Sequence, residues 1–465
     1  MKNISLLRAR PEQSRLKFLS VCFAAALVTA CGGGSSGGEP EMVTSDNSDP
    51  NALINTNVPG TEGSDAVELC SVPDINRWID ERMRDDYIYY DSVPVLDLAS
   101  YDDPGLLLRD LRVLPDIYSS VVDAAESEQV TGNSVVTRFG FNTDIASDGR
   151  THFSDISGNS PMALAGIRRG DLLIAVNGVD WNLLTDEEFR DFIIGEQGQE
   201  LTAVFTVQSA GDVPRDVTVT KTTFTEATVP VFGTYPQTND QVGYIKVDSF
   251  RGTTGAEVNQ AVSFLVDGEI SDLILDLRYN GGGFTYVARM LASQIAGSAF
   301  QGEVYSRRVY NDKYSFLNTD QFIEPQTLNL NLPRLFVLTT EFTASASETL
   351  INGLKPFIEV ITIGNLTEGK PFTSVAQDYC GKRLNAMSTL TTNGVGSDVN
   401  GGINPTCRVQ DDYLFPADFR EDALTGAAFT FMESGSCPAP VGAVNDRVVA
   451  KVSEATNREI PKGGY

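Results

Sequence analysis

At 465 residues with 41% hydrophobic side chains, the chain is long enough to fold as two or three packed domains. Its 62 acidic and 35 basic residues leave a formal charge of −27, which argues against a nucleic-acid partner, since phosphate binding needs clustered lysine and arginine. A single histidine, His152, excludes an HExxH zinc site and any multi-histidine metal centre.

The chain opens with Lys2, Arg8, Arg10, Arg15 and Lys17, followed by the apolar run FLSVCFAAALVTA. This pattern reads as a signal peptide, and the run is too short to span a bilayer as a permanent helix. It ends in VTAC, Val28 to Cys31, which resembles the lipobox of bacterial lipoproteins. The resemblance implies that Cys31 is lipidated and that residues 1–31 are the signal. Residues 32–66 are rich in Gly, Ser, Pro, Asn and Asp and read as a disordered tether. The expected location is the bacterial cell envelope, at the periplasmic face of the outer membrane or at the cell surface. Contact with the membrane would be through the lipid alone.

With Cys22 lost and Cys31 lipidated, Cys70, Cys380, Cys407 and Cys437 remain. An even number suits disulfides in an oxidising compartment. Four cysteines allow three pairings, and the sequence does not choose among them. We lean towards Cys380–Cys407 with Cys70–Cys437, which would tie the N-terminal module to the C-terminus.

Residues 67–130 read as a helical module. INRWIDERMRDDYIYY places Ile75, Trp78, Ile79, Met83 and Tyr87 on one helical face. DPGLLLRDLRVLPDIYSSVVDAAE reads as a second helical stretch broken by prolines. Residues 132–226 instead alternate short strands and turns, with one helix expected at TDEEFRDFIIG. GIRRGDLLIAVNG, Gly166 to Gly178, closely resembles the signature turn and strand of a PDZ domain. In that family the segment RFGF supplies the carboxylate-binding loop, here Arg138, Phe139, Gly140 and Phe141. Peptides bind there by adding a strand to the sheet edge.

From 228 to 465 the rhythm becomes α/β. GYIKVDSF, LILDLRYNGGG, LFVLTT and EVITIG read as buried strands separated by helices, arguing for a sheet covered on both faces. Ser345, in TASASETL, follows one such strand at a helix N-terminus, where serine is an ordinary cap. Three features point beyond capping. The glycines of RYNGGG follow a buried strand, where backbone N–H groups could turn towards an oxyanion. Lys370, in TEGKPF, follows another strand, and burial would lower its pKa towards that of a general base. His152 lies in a different module, so a serine nucleophile would need another base, and Ser–Lys pairs meet that need.

The ordered set GYIKVDSF, LILDLRYNGGG, TASASE and GKP beside a PDZ segment resembles the carboxyl-terminal processing peptidases, or tail-specific proteases. The resemblance implies a mixed α/β chain: a helical module, a PDZ domain and a ClpP/crotonase-like core with a mixed sheet. It implies a serine endopeptidase acting on exported proteins recognised through exposed or C-terminal segments. Ser345 would be the nucleophile and Lys370 the general base. The oxyanion would lie on the N–H of Ala346 with that of Gly281 or Gly282. Ser347 and Glu348 would cap or orient the helix. Some relatives place a glutamine four residues after the lysine; here that position is Ser374, and Gln377 is the nearest glutamine. Both are candidates for orienting Lys370. No metal or other cofactor is expected. The competing reading is a non-catalytic ligand- or peptide-binding envelope protein on the same core, which would have no reason to keep Ser345, Lys370 and the glycine turn together.

Overall fold

The computed structural model describes residues 70–439, apart from 147, 196–198, 236–240 and 414, and the backbone of Lys17–Phe18. Cys31, the expected tether over 32–66 and the other residues of the expected signal segment lie outside the described residues. Lys17–Phe18 runs antiparallel along the strand Val231–Thr234.

The N-terminal unit begins with the helix Val72–Asp85, capped at Ser71 and carrying a proline in its first turn. It buries Ile75, Ile79 and Met83, with Tyr87 beyond its end, as the apolar spacing required. Trp78 leaves this core partly covered and stacks on Tyr379 at 5.4 Å. The second helical stretch divides into separate elements. A helix covers Pro104–Leu111, a strand covers Ser120–Asp123, and a further helix covers Ala124–Asn133. Val121 and Val122 are β-branched and pair antiparallel with Lys382–Asn385. The N-terminal unit is thereby sewn into the far end of the chain.

The PDZ sheet runs in the order Val135–Arg138, Arg215–Thr225, Leu201–Gln208, Leu172–Val176, Thr151–Ile156, Phe141–Ile145. Phe139, Phe153, Phe205, Ile167 and Val176 fill its core. The expected helix is α-helical over Asp186–Phe189 and then widens to a π turn over Arg190–Ile194.

The third unit is built on a mixed sheet. Val242–Lys246, Asp272–Asp276, Arg334–Thr339, Glu359–Gly364 and Cys407–Arg408 are parallel, and Val231–Thr234 is antiparallel to the first of them. Alternation along the strands separates two cores. Leu273, Leu275, Leu335 and Val337 pack beneath the helices Thr254–Asp267, Thr285–Ala296 and Ala346–Leu354. Ile274, Phe336 and Leu338 face the helix Ala423–Ser434 on the other side. A second, antiparallel sheet joins Thr319–Phe322, Val304–Tyr310, Met387–Asn393 and Phe372–Ser374.

The disulfides correct the favoured pairing. Cys70 bonds Cys380 across a Cα–Cα distance of 5.4 Å, and Cys407 bonds Cys437 across 5.3 Å. Cys380 sits in the turn of the hairpin Gln377–Tyr379/Lys382–Asn385, whose second strand lies against the N-terminal unit. That turn therefore meets the start of the first helix.

Candidate active site

Ser345 stands between the buried strand Arg334–Thr339 and the helix Ala346–Leu354. Its backbone adopts φ 54° and ψ −114°, outside the ordinary region for a non-glycine residue. Such a conformation costs about 1–3 kcal/mol and persists only where the surroundings impose it. Chief among those surroundings is a buried carboxylate. Glu348 Oε2 accepts the backbone N–H of Ser345 at 2.9 Å and that of Lys370 at 2.9 Å. The two backbone nitrogens therefore lie within twice that distance of each other. Glu348 Oε1 accepts the N–H of Gly369 at 2.8 Å and the Thr367 hydroxyl. Burial pushes the Glu348 carboxyl above its ordinary range, while these four donors pull it back towards the charged form. Glu348 thus locks the segment carrying the serine to the segment carrying the lysine.

The ammonium of Lys370 lies over the Tyr118 ring, 4.9 Å from its centroid. Burial pushes the lysine below its ordinary pKa, against the opposing influence of Asp116, Glu368 and Glu348. Lowering the cost of the neutral amine is what a general base at this position requires. Neither Ser374 nor Gln377 hydrogen-bonds to Lys370 among the described residues. Ser374 lies in the strand Phe372–Ser374, and the Gln377 amide donates to Asp86 at the end of the first helix.

The glycine turn packs directly on the serine. Gly282 has φ +109°, and a Cβ there would fall 2.8 Å from Ser345 Cβ and 3.0 Å from Ala346 N. No other residue fits so close an approach. Its own N–H, however, donates to Asn280 Oδ1 at 2.8 Å, which removes Gly282 from the set of free donors. The N–H groups of Ala346 and Gly281 have no protein acceptor among the described residues. Asn280, which the sequence reading passed over, staples this region. Its carbonyl accepts from Ala344 N–H and from the Ser347 hydroxyl at 2.9 Å, and its amide donates to Val247. Ser347 is thus spent on holding the helix start to the turn.

The PDZ loop is only partly as expected. Phe139 is buried against Phe205, with ring centroids 5.2 Å apart, and Phe141 contacts the same ring edge-on. The N–H groups of Phe139 and Gly140 have no acceptor among the described residues. Gly140 has φ +86°, and a Cβ would run into Ser160. Phe141–Ile145 forms one edge of the sheet, with no further strand paired to it among the described residues. Arg138 is otherwise engaged: its guanidinium pairs with Glu226, which also holds Arg251. His152 belongs to this domain alone, with Nδ1 2.9 Å from the Gly170 carbonyl and Nε2 3.2 Å from Asp148.

Behind the glycine turn, Arg278 is wholly buried among Asp276, Asp411 and Asp422. Arg169 of the GIRRGD turn reaches the same two carboxylates, Asp411 and Asp422, and the Tyr279 hydroxyl. Tyr279 in turn donates to Asp411 at 2.7 Å. The PDZ domain is therefore wired to the strand end that carries the glycines.

Sequence reasoning missed Asn280, Asp116, Tyr118 and the bridging role of Glu348. Only Glu348 left a local signal, standing three residues after a helix-capping serine.

Residues 241–409 match the model of peptidase family S41, residues 74–120 its N-terminal domain, and residues 129–203 the PDZ domain. Over 278 residues the chain is 27% identical to a C-terminal processing peptidase, chloroplastic, of Tetradesmus obliquus, covering 56% of each chain. Over 213 residues it is 30% identical to a carboxyl-terminal-processing protease of Picosynechococcus sp., covering 45% of this chain and 48% of that protein. The chain thus matches about half the length of these relatives. Among solved structures, a Bacteroides fragilis chain described as an S41 protease superposes with a TM-score of 0.64 at 22% identity, covering 81% of this chain and 100% of that one, a likeness of fold. The chain belongs to peptidase family S41, with an S41 N-terminal domain and a PDZ domain ahead of the peptidase domain.

Proposed function

We propose that the protein is a serine endopeptidase of the carboxyl-terminal processing type, with Ser345 as nucleophile and Lys370 as general base. The observation that carries this reading is the Glu348 carboxylate holding the backbone of both residues on one oxygen, beside a glycine turn packed on the serine. In the reaction, Ser345 Oγ attacks the scissile carbonyl and passes its proton to neutral Lys370. The N–H groups of Ala346 and Gly281 stabilise the oxyanion, and loss of one such donor typically costs about 10²–10³ in rate. The lysinium then protonates the amine as the C–N bond breaks; water attacks the acyl-enzyme with Lys370 taking its proton, and that proton returns to Ser345 Oγ as the acyl–Oγ bond breaks. Substrates are exported proteins, and their exposed or C-terminal segments add to the edge Phe141–Ile145 with the carboxylate on the N–H groups of Phe139 and Gly140.

The test is cleavage of unfolded β-casein by the full chain across a pH series, beside Ser345→Ala and Lys370→Ala. Both variants should lose at least about 10³-fold in rate. The wild-type rate should climb as pH rises through the lysine's lowered pKa, because only the neutral amine accepts the proton. Cleavage that survives Ser345→Ala sinks the assignment.

We also propose that the protein is anchored in the cell envelope through a lipid on Cys31. Cells grown with labelled palmitate should label the wild type and not Cys31→Ser; an unlabelled wild type excludes the anchor.

A further inference from the structure

The base of this site is not supported from its own strand, since neither Ser374 nor Gln377 reaches it. What packs on it comes from the N-terminal unit. The ring of Tyr118 lies under the Lys370 ammonium, and its hydroxyl donates to Glu368 at 3.2 Å. Two residues earlier, Asp116 is buried at 2% exposure and held rigidly. Its carboxylate accepts from the Tyr87 hydroxyl at 2.8 Å, the Ser119 hydroxyl, and the backbone N–H groups of Tyr118 and Ser119 at 2.8 and 2.9 Å. The segment is fixed in turn. The strand Ser120–Asp123 pairs with Lys382–Asn385, and the Cys70–Cys380 disulfide closes the same hairpin.

We propose that Asp116 and Tyr118 are positioning residues for Lys370, so that the third member of the catalytic apparatus is delivered by the N-terminal domain. This inference rests on the reading of Lys370 as the base. In the acylation step the Ser345 O–H bond breaks, an Nζ–H bond forms on Lys370, and a C–O bond forms to the substrate. The amine thus becomes a cation in a site that disfavours cations. An aromatic face and a fixed buried carboxylate compensate at that moment. Tyr118 is the ring against the Lys370 ammonium, and the carboxylates whose charge acts on it are Asp116, Glu368 and Glu348. Glu368 and Glu348 are shared with Tyr118 and the backbone of the lysine loop, respectively. Asp116 and Tyr118 are the two contributed from outside the peptidase domain.

The experiment uses the full chain with ε-¹³C-labelled lysine, the Lys370 signal being identified by its loss in Lys370→Ala. Titration by NMR reads the amine without turnover, and casein cleavage across pH reads the reaction. Removing either support should favour the neutral amine. Asp116→Asn and Tyr118→Leu should therefore both lower the titration midpoint of Lys370 and move the rising limb of kcat/KM to lower pH. The plateau of kcat should fall about tenfold or more, because the lysinium is less stabilised in the transition state. Tyr118→Phe keeps the ring and should keep the wild-type limb. Tyr118→Leu leaves the buried Asp116 network intact and serves if Asp116→Asn does not fold. A wild type that cleaves casein while the Lys370 midpoint stays fixed in both variants overturns the positioning role alone. A wild type that fails to cleave removes the base and the role together.

Discussion

Each of the two proposed catalytic residues depends on a neighbour that is not itself reactive. Glu348 is the clearest case, because one side chain takes hydrogen bonds from Ser345, Lys370, Gly369 and Thr367. Glu348→Gln is nearly isosteric but replaces one acceptor oxygen by an NH₂ group, setting donor against donor on that side. Leaving buried donors unpaired should destabilise the protein by about 1–3 kcal/mol, read as a lower melting temperature. The larger expected effect is on the reaction. Release of the serine or the lysine loop by even 1 Å should lower kcat/KM about 10²-fold. Casein cleavage at the wild-type rate by a folded Glu348→Gln would show that the shared carboxylate does not set the site.

At the scale of elements, the parts written locally were legible. The four buried strands of the core appear in the sequence as apolar runs ending in glycine or small polar residues, and each lies in the parallel sheet as expected. The GIRRGD turn foretold the strand Leu172–Val176 in the same way. Ser345 and Lys370 stand where the sequence placed them, each a few residues beyond the end of such a strand. What stayed hidden depends on pairing across long separations. SSVVD was read with the helix around it, and its strand state is set by Lys382–Asn385, far along the chain. The cysteines show the same limit, since Cys407–Cys437 closes 30 residues and Cys70–Cys380 closes 310. Asp116 and Tyr118 carry no local mark of their role; only the docking of the N-terminal unit against the lysine loop reveals it. Arg138 illustrates the reverse. It stands where a carboxylate ligand was expected, yet Glu226 has already claimed its charge.

Across the whole molecule, ion pairs with buried carboxylates join the PDZ domain to the core. Arg138 and Arg251 share Glu226, and Arg169 and Arg278 share Asp411 and Asp422. Lys246 holds Asp155 of the PDZ domain at 2.8 Å and Asp248 of its own domain at 2.9 Å. One lysine cannot compensate two carboxylates fully. Burial pushes the Asp248 carboxyl up to about 7, with Lys246 opposing. Asp418, also buried, is pushed up to about 6. Asp411 goes the other way, down to about 2, where Arg278 and Arg169 outweigh burial. The consequence for stability follows from linkage. A carboxyl raised in the folded state binds its proton more tightly there than in the unfolded chain. Its contribution is complete below the unfolded pKa and is lost as pH rises towards the folded value. For Asp248 that window runs from about pH 4 to about pH 7, whereas the contribution of Asp411 is lost only in strong acid. The melting temperature should therefore fall as the buffer is taken from mildly acidic to neutral. Asp248→Asn, which cannot titrate and leaves the Lys246–Asp155 pair in place, should flatten that fall by on the order of a few °C. Scanning calorimetry of both chains at pH 4.5, 5.5, 6.5 and 7.5 measures the difference directly. Parallel curves would mean that Asp248 is charged throughout, and that Lys246 satisfies both carboxylates at the junction on which the PDZ domain is held.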